Sequence, residues 1–322
     1  MATAVVTGAT GFIGKRLVPA LLRCNHNVSV ITRTPGNVLP EWRNEVEIIK
    51  GDISDSRFGI PQNCEILYHC AGSINDPRLF YAANVRGTQN VLNECRKLPD
   101  FKRFVHLSSV GVMGCRKSGR YDETTPCSPR NTYEQTKLKA EQMVLDAAQH
   151  FPTTVLRPSI VFGPGRKTDQ DSFYRLVKAI ASGRFILFGN EQAYFNIVYI
   201  DDVVQALLML GTAVDKTIKG RCFIVNDPVN WPDFCKYVSE TLNVKDVKCL
   251  PKLFGLPAAA IGTCLSRLGI KAPLTLQSYS ALTTGVVFDA GRIGRDLLFR
   301  PQYGVRKGIE ETLQHYQMID AR

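Results

Sequence analysis

The chain has 322 residues, 44% hydrophobic and 21% charged, an ordinary globular composition with room for one large or two modest domains. Its 40 basic and 29 acidic side chains leave a net charge of +11, which suits anionic ligands. The basic residues are dispersed and no nucleic-acid module motif is present, so a small anionic ligand is a smaller assumption than nucleic acid. Ten scattered cysteines without a C-x-x-C pair give no reason to expect a metal. No apolar run approaches the length of a membrane span, and the first strand begins almost at once, which together predict a cytoplasmic protein. The nearest apolar run, Leu253 to Leu265, is short and carries Pro257 and two glycines.

A β-type run from Ala2 to Thr7 leads into V-T-G-A-T-G-F-I-G-K-R, and then into the helical apolar pattern Phe12, Ile13, Leu17, Val18, Leu21, Leu22. Strand, glycine turn, helix is the context a dinucleotide phosphate loop needs. Gly8 permits the turn, Gly11 the approach of a pyrophosphate, and Gly14 the packing of helix on strand. Thr10, Phe12 and Ile13 share that turn, and the helix N-terminus offers N–H groups to the anion. A second strand begins at Asn27 and ends at Arg33. An acid at that place would accept the ribose 2′-hydroxyl of NAD. Arg33, with Lys15 and Arg16 nearby, suits a 2′-phosphate instead, so NADP is the expected cofactor and NAD the alternative.

The third strand, Val46 to Lys50, runs into Gly51-Asp52-Ile53, where Asp52 and Ile53 would frame an adenine or Asp52 would cap the next turn. The fourth, Ile66 to His69, ends in Cys70-Ala71-Gly72, small enough for a cofactor to lie close. A helix carrying Asn84 follows, and a fifth strand, Arg103 to Leu107, delivers Ser108 and Ser109. After a turn-rich loop, Asp122 to Arg130, a helix from about Thr132 places Tyr133 and Lys137 on one face. Alternating strands and helices predict an α/β fold with a parallel sheet. Further on, a helix from Phe173 to Ala181, a strand-like run from Tyr194 to Ile200 and a sheet-completing strand from Arg221 to Val225 are expected. Asp201-Asp202 reads as a helix N-cap rather than a catalytic pair. From Trp231 onward the chain reads as helical, closing on a helix from Gly308 to Tyr316.

T-G-A-T-G-F-I-G (Thr7 to Gly14), G-D-I (Gly51 to Ile53), N-V-R-G-T (Asn84 to Thr88), L-S-S-V-G-V-M-G (Leu107 to Gly114), Y-E-Q-T-K (Tyr133 to Lys137), L-R-P-S-I-V-F-G-P-G (Leu156 to Gly165) and V-Y-I-D-D-V (Val198 to Val203) occur in this order. In that order and over about two-thirds of its length, the chain resembles the extended short-chain dehydrogenase/reductase family, the nucleotide-sugar epimerase and hydroxysteroid dehydrogenase group. The resemblance implies a Rossmann doubly wound parallel sheet with a smaller, mostly helical C-terminal substrate lobe. Residues 1–165, completed near 194–227, would bind NADP, and 166–193 with 228–322 would bind a small-molecule substrate. A homodimer is the assembly this reading allows.

The resemblance also implies that Ser109, Tyr133 and Lys137 are the catalytic set, and that Leu107, Ser108, Pro158 and Ile160 join Asn84 and the glycine turn around the cofactor. Ser109 is preferred to Ser108 because the family's catalytic hydroxyl lies five residues before the closing glycine, here Gly114. The chemistry agrees. Hydride transfer at a secondary alcohol requires a proton to move with it, and a tyrosine of pKa about 10 is a poor base at neutral pH. An ammonium about 4 Å away, worth up to about 4 kcal/mol at an effective dielectric of 20, would, helped by an oxidised nicotinamide, bring it into range.

Two departures bear on the substrate. Sugar epimerases of the group carry an asparagine where this chain has Ile160, and an arginine where it has Phe195, both diphosphate contacts. Arg166, Lys167, Arg175 and Arg184 are candidate replacements. The expected substrate is a nucleotide-activated sugar. The alternatives are an apolar alcohol of the 3β-hydroxysteroid type, with Leu253 to Leu265 lining its pocket, and a sensor that binds NADP without turnover.

Overall fold

The computed structural model describes residues 2–318 apart from 56, 57, 116, 166, 167, 169, 170, 190–192, 271 and 273. The first half alternates: β1 (Thr3–Thr7), α1 (Gly14–Arg23), β2 (Asn27–Thr32), α2 (Pro40–Arg43), β3 (Val46–Lys50), β4 (Ile66–His69), α3 (Gly87–Cys95) and β5 (Arg103–Leu107). Then come β6 (Gly119–Tyr121), α4 (Thr132–Asp146), β7 (Thr153–Pro158), β8 (Ile160–Phe162), α5 (Ser172–Ala181), β9 (Ile186–Phe188) and β10 (Tyr194–Tyr199). The last third holds α6 (Ile200–Thr212), α7 (Asp215–Ile218), β11 (Arg221–Val225), β12 (Asp227–Asn230), α8 (Trp231–Leu242), β13 (Lys248–Leu250), α9 (Lys252–Arg267), α10 (Leu276–Thr283), β14 (Val286–Phe288), α11 (Gly291–Leu297) and α12 (Gly304–His315).

Seven strands form one parallel sheet in the order β11-β7-β5-β4-β1-β2-β3. Its inner strands are buried along almost their whole length, which is why they read as continuous β-branched runs rather than alternating ones. Successive residues serve opposite faces. Ala4, Val6, Val30, Val105, Leu156 and Phe223 pack with Leu17 and Leu21 of α1 and Leu207 of α6. Val5, Ile31, Leu67, Phe104 and Val155 pack with Val91 and Leu92 of α3 and Val144 of α4. Each of these buried Val, Leu, Ile and Phe side chains contributes about 1.5–3 kcal/mol relative to exposure. The strand order reverses between β1 and β4, so a crevice opens at their C-terminal ends, where a doubly wound sheet holds its ligand.

A separate core gathers Phe162, Phe173, Tyr199, Trp231, Phe234 and Ile309, between α5, α8 and α12 and the three-stranded sheet β12-β10-β8. Asp202 links this region to the large sheet in a way the sequence did not announce. The N-cap of α6 is Tyr199, without a side-chain cap, and Asp202 lies inside the first turn. Its buried carboxylate accepts from the backbone N–H groups of Gln302, Tyr303 and Gly304, at 2.7, 3.1 and 3.1 Å, and so fixes the start of α12. The region after Trp231 is not wholly helical. β13 pairs with β9 and β14 with β6, both parallel and both long-range.

The apolar run Leu253 to Leu265 forms most of α9, and its bulky side chains are exposed rather than packed into the core. Only Gly255, Ala259 and Gly262 of that helix are buried, while Leu253, Phe254, Leu256, Ile261 and Leu265 are exposed. Among the described residues, no helix is long and apolar enough to cross a membrane.

Candidate active site

The turn from Gly8 to Gly14 is held by its own backbone: Gly11 N–H donates to the Gly8 carbonyl at 2.9 Å, and Lys15 N–H to Gly11 at 3.0 Å. Gly8 has φ +75°, and a Cβ there would lie 2.6 Å from the Ala71 nitrogen in the chain leaving β4. A Cβ on Gly14 would run into the Gly8 carbonyl oxygen. The backbone is therefore bare where β1, α1 and the end of β4 converge, at the sheet's switch point. A pyrophosphate fits such a cradle, facing the N-terminus of the ten-residue α1. Phe12 lies against Gly165 at one side of the turn, and Thr10 is half-buried within it.

Arg33 and Asp52 project from the ends of β2 and β3. The Arg33 side chain is 64% exposed, and its Nη1 lies 3.9 Å from the Asp52 carboxylate. That long, screened pair leaves the guanidinium free to turn to a ligand. The other Asp52 oxygen accepts from Ser54 N–H at 2.9 Å and Ser54 Oγ at 2.8 Å, so the aspartate does cap the turn after β3. Ile53 is buried against Gly87 at the start of α3.

Asn84 sits in a π-helical turn, Tyr81–Arg86, just ahead of α3. Its Oδ1 accepts from Ser73 N–H at 2.8 Å, and its Nδ2 donates to the Ser73 carbonyl and to Thr136 Oγ1, both at 3.1 Å. One buried amide thus ties the Cys70-Ala71-Gly72 segment to the turn of α4 that carries Tyr133 and Lys137. Thr136 completes the link by donating to the Tyr133 carbonyl at 2.9 Å.

Asn131 caps α4 by accepting from Glu134 N–H at 2.9 Å, which fixes where the helix starts and so which way Tyr133 and Lys137 face. The Tyr133 ring packs edge-on to Phe80, with centroids 5.6 Å apart. Its hydroxyl has no hydrogen-bond partner among the described residues. Burial, reinforced by Glu134, pushes that hydroxyl up to about 12. Lys137 is also buried, its Nζ donating to the Leu107 carbonyl at the end of β5 at 2.6 Å. Burial draws it down to about 8, against the opposing pull of Glu141. Without a cofactor, desolvation and the Glu134 carboxylate together keep the phenol protonated at neutral pH.

Ser109 precedes a short 3₁₀ turn, Val110–Met113, and its Oγ accepts from Gly111 N–H at 3.1 Å. A methyl on Gly111 would stand 3.3 Å from both Ser109 Oγ and Glu134 Cγ, so the serine lies beside the turn that begins with Tyr133. Ser108 donates its backbone N–H to the Leu156 carbonyl at 2.7 Å, and its buried Oγ has no partner among the described residues. Pro158 closes β7, and Ile160 stands 49% exposed in β8. The structure brings Ser109, Tyr133, Lys137 and Leu107 to one end of the sheet, the end that also holds the glycine turn, Cys70 to Gly72 and Asn84.

Beneath Lys137 lie groups the sequence did not single out. His69 bridges Thr7 Oγ1 at 2.7 Å and Thr88 Oγ1 at 3.0 Å, and stacks on His106 with centroids 5.3 Å apart. Burial first, then the Lys137 charge, pull His69 down to about 3 and His106 well below its ordinary value. Neutral imidazoles add no charge beside the ammonium. Glu141, one turn after Lys137, forms a buried ion pair with Arg157 of β7, whose Nε lies 3.1 Å away. Thr88 stood in the N-V-R-G-T motif and Glu141 one turn after Lys137, the only signals either gave; His69 read as a strand end.

The buried imidazole makes stability acid-sensitive. A group lowered on folding is protonated first in the unfolded chain, so stability falls as pH drops from about 6.5, its unfolded value, toward 3. At pH 5 His69 alone should remove about 2 kcal/mol relative to pH 7. Chemical denaturation at the two pH values checks this, with His69→Gln showing the smaller loss; a loss of equal size in the variant would contradict it.

A dinucleotide cradle beside a half-buried tyrosine and a buried lysine defines an oxidoreductase-type enzyme working with a nicotinamide cofactor. The chain belongs to the NAD dependent epimerase/dehydratase family, whose model matches residues 4–226. It is 28% identical to 3 beta-hydroxysteroid dehydrogenase/Delta 5-->4-isomerase of Mycobacterium tuberculosis, over 97% of this chain and 90% of that protein. It is 25% identical to N-acetyl-alpha-D-glucosaminyl-diphospho-ditrans,octacis-undecaprenol 4-epimerase of Escherichia coli O157:H7, over 99% of this chain and 96% of that one. Its fold is also that of UDP-glucuronic acid 4-epimerase from Bacillus cereus in complex with NAD, with TM-score 0.73, 22% identity and 98% of both chains covered.

Proposed function

We propose that this family member is an NADP-linked enzyme that moves a hydride at a secondary alcohol or ketone carried on an apolar body. The observation that supports the substrate class is at Phe195. Where the resemblance looks for a diphosphate-binding arginine, Phe195 stacks on Trp231, with centroids 4.3 Å apart and planes at 13°, and meets Phe234 edge-on. A charged diphosphate gains nothing from such a wall, whereas a sterol-like body does. The Mycobacterium tuberculosis relative, a 3 beta-hydroxysteroid dehydrogenase, supports the same direction.

The placement supports the following roles. A nicotinamide, when bound, would supply the hydride chemistry. Tyr133, protonated by burial, supplies the proton to the oxygen of a ketone being reduced and recovers it in the reverse direction. Ser109 holds that oxygen. Lys137 would hold the cofactor ribose and keep a positive charge beside Tyr133 when ketone reduction leaves the phenol anionic. Gly8, Thr10, Gly11, Phe12, Ile13 and Gly14 would hold the pyrophosphate. Asp52 and Ile53 would border the adenine; Cys70, Ala71, Gly72, Asn84, Leu107, Ser108, Pro158 and Ile160 would border the rest. Residues 166–193 and 228–322 form the substrate lobe. A sensor without turnover has no use for a Tyr133–Lys137 pair at this place.

A nucleotide-activated sugar is the second reading. The net charge, exposed Arg175 and Arg184 and the Escherichia coli relative favour it; Arg166 and Lys167 lie outside the described residues. Titrating the NADP-loaded protein with a neutral sterol and with UDP, dTDP and GDP separates the two. Micromolar sterol binding without nucleotide binding is the expected result; tight binding of a nucleoside diphosphate alone would overturn the apolar reading.

Arg33 carries the cofactor preference. NADPH should bind at least about tenfold tighter than NADH, about 1.4 kcal/mol, and Arg33→Asp should remove or invert that preference. Equal affinities in the unmodified protein would contradict it.

A further inference from the structure

Helix α9 is built the wrong way round for a water-soluble surface. Its covered stripe is made of the small residues Gly255, Ala259 and Gly262, with Thr263 beside them. Gly262 packs against Leu274, and Gly255 against Tyr279 and Phe188. The large side chains face out: Leu253 is 80% exposed, Phe254 62%, Leu256 54%, Ile261 63% and Leu268 77%, with Ile270 at 54% just beyond the helix. Amphipathic surface helices of globular proteins place these residues the other way, toward the core. So large a contiguous apolar face marks an interaction site rather than the scattered exposure every protein shows.

The charges around it narrow the choice of partner. From Val247 to Phe288 the sequence contains no aspartate or glutamate, although it carries Lys248, Lys252, Arg267 and Lys271. The first three of those cations are exposed, Lys252 and Arg267 standing at the two ends of α9. Between them, Leu253 to Ser266 has no charged residue at all. A second copy of this chain docked face to face would bring these cations together without acids to meet them. Sixteen residues make a helix about 24 Å long, too short to cross a hydrocarbon core of about 30 Å.

We infer that α9 is a membrane-surface anchor, lying in the interfacial plane of an anionic bilayer with Leu253, Phe254, Leu256, Ile261 and Leu268 in the acyl boundary and Lys248, Lys252 and Arg267 at the headgroups. The combination of a one-sided apolar face with basic flanks is what binds such surfaces, through buried apolar area and attraction to anionic lipid. Leu282 of α10, the helix against which α9 packs, belongs to the core that holds Trp231 and Phe234, so the anchored surface adjoins the region proposed to receive the substrate. The inference does not depend on the substrate's identity.

Co-sedimentation of the full-length protein with phosphatidylglycerol-containing vesicles and with pure phosphatidylcholine vesicles tests it. Binding should be at least about tenfold stronger to the anionic vesicles, and should fall by at least about tenfold in a Phe254→Ser/Ile261→Ser variant. Both positions are exposed, so NADPH binding by that variant should be unchanged. A reporter that keeps the apolar face gives an independent reading. In Phe254→Trp the added indole should shift to the blue when anionic vesicles are added, above the constant signal of buried Trp42 and Trp231. Absence of vesicle binding with no spectral shift would overturn the inference. So would a dimer that the double substitution turns into a monomer while vesicle binding is absent throughout, since the face would then belong to a second copy.

Discussion

Tyr133→Phe should lower kcat for ketone reduction or alcohol oxidation by about 10²–10⁴-fold, the usual worth of a positioned proton carrier. NADPH affinity should change by less than about threefold, or 0.7 kcal/mol. The asymmetry follows from the site. The ring keeps its edge-on contact with Phe80 at 5.6 Å, and among the described residues the hydroxyl bonds to nothing that would be left unpaired. Only the proton is removed. Parallel losses in kcat and in cofactor affinity would instead mean that the substitution had disturbed the turn of α4 fastened by Asn84 and Thr136.

Lys137→Met should act on both quantities, with kcat reduced by at least about 10²-fold and NADPH bound at least about tenfold more weakly. The ammonium is buried, fixed on the Leu107 carbonyl at 2.6 Å, and positioned where strand β5 meets the cofactor crevice. Because burial lowers it to about 8, unmodified enzyme should lose activity as pH rises past that value and the charge beside Tyr133 disappears. The methionine variant should lack that alkaline limb. A limb of unchanged position in Lys137→Met would assign it to another group.

Much of this was legible before any coordinates. Strands beginning at Asn27, Val46, Ile66, Arg103 and Arg221 match the expected starts because each is a run of β-branched and aromatic residues cut off by glycine, asparagine or a charged turn. Helix α4 begins at Thr132 as expected, since Asn131 is a strong cap. The pieces that escaped depend on distant partners. β13 and β14 have three residues each and exist through pairing with β9 and β6, about 60 and 165 residues earlier, which no local periodicity records. Asp202 looked like a cap for its own helix and instead holds the start of another a hundred residues later. Leu253 to Leu265 announced an apolar element, but only packing decides which face is covered, and there the glycines won. The protonation of Tyr133 turned on its burial and on the neighbouring Glu134, both set by the folded site alone.

The most direct test of the central claim is deuterium transfer from NADPH labelled at the nicotinamide C4, followed in a single turnover with a keto-sterol and with a keto-sugar nucleotide as acceptors. Mass spectrometry should find one deuterium at the carbinol carbon of the product, formed at least about 10²-fold more slowly by Tyr133→Phe. The keto-sterol should be the acceptor that reacts. Failure of the unmodified enzyme to transfer deuterium to either acceptor, or transfer by Tyr133→Phe at the unmodified rate, would contradict the account.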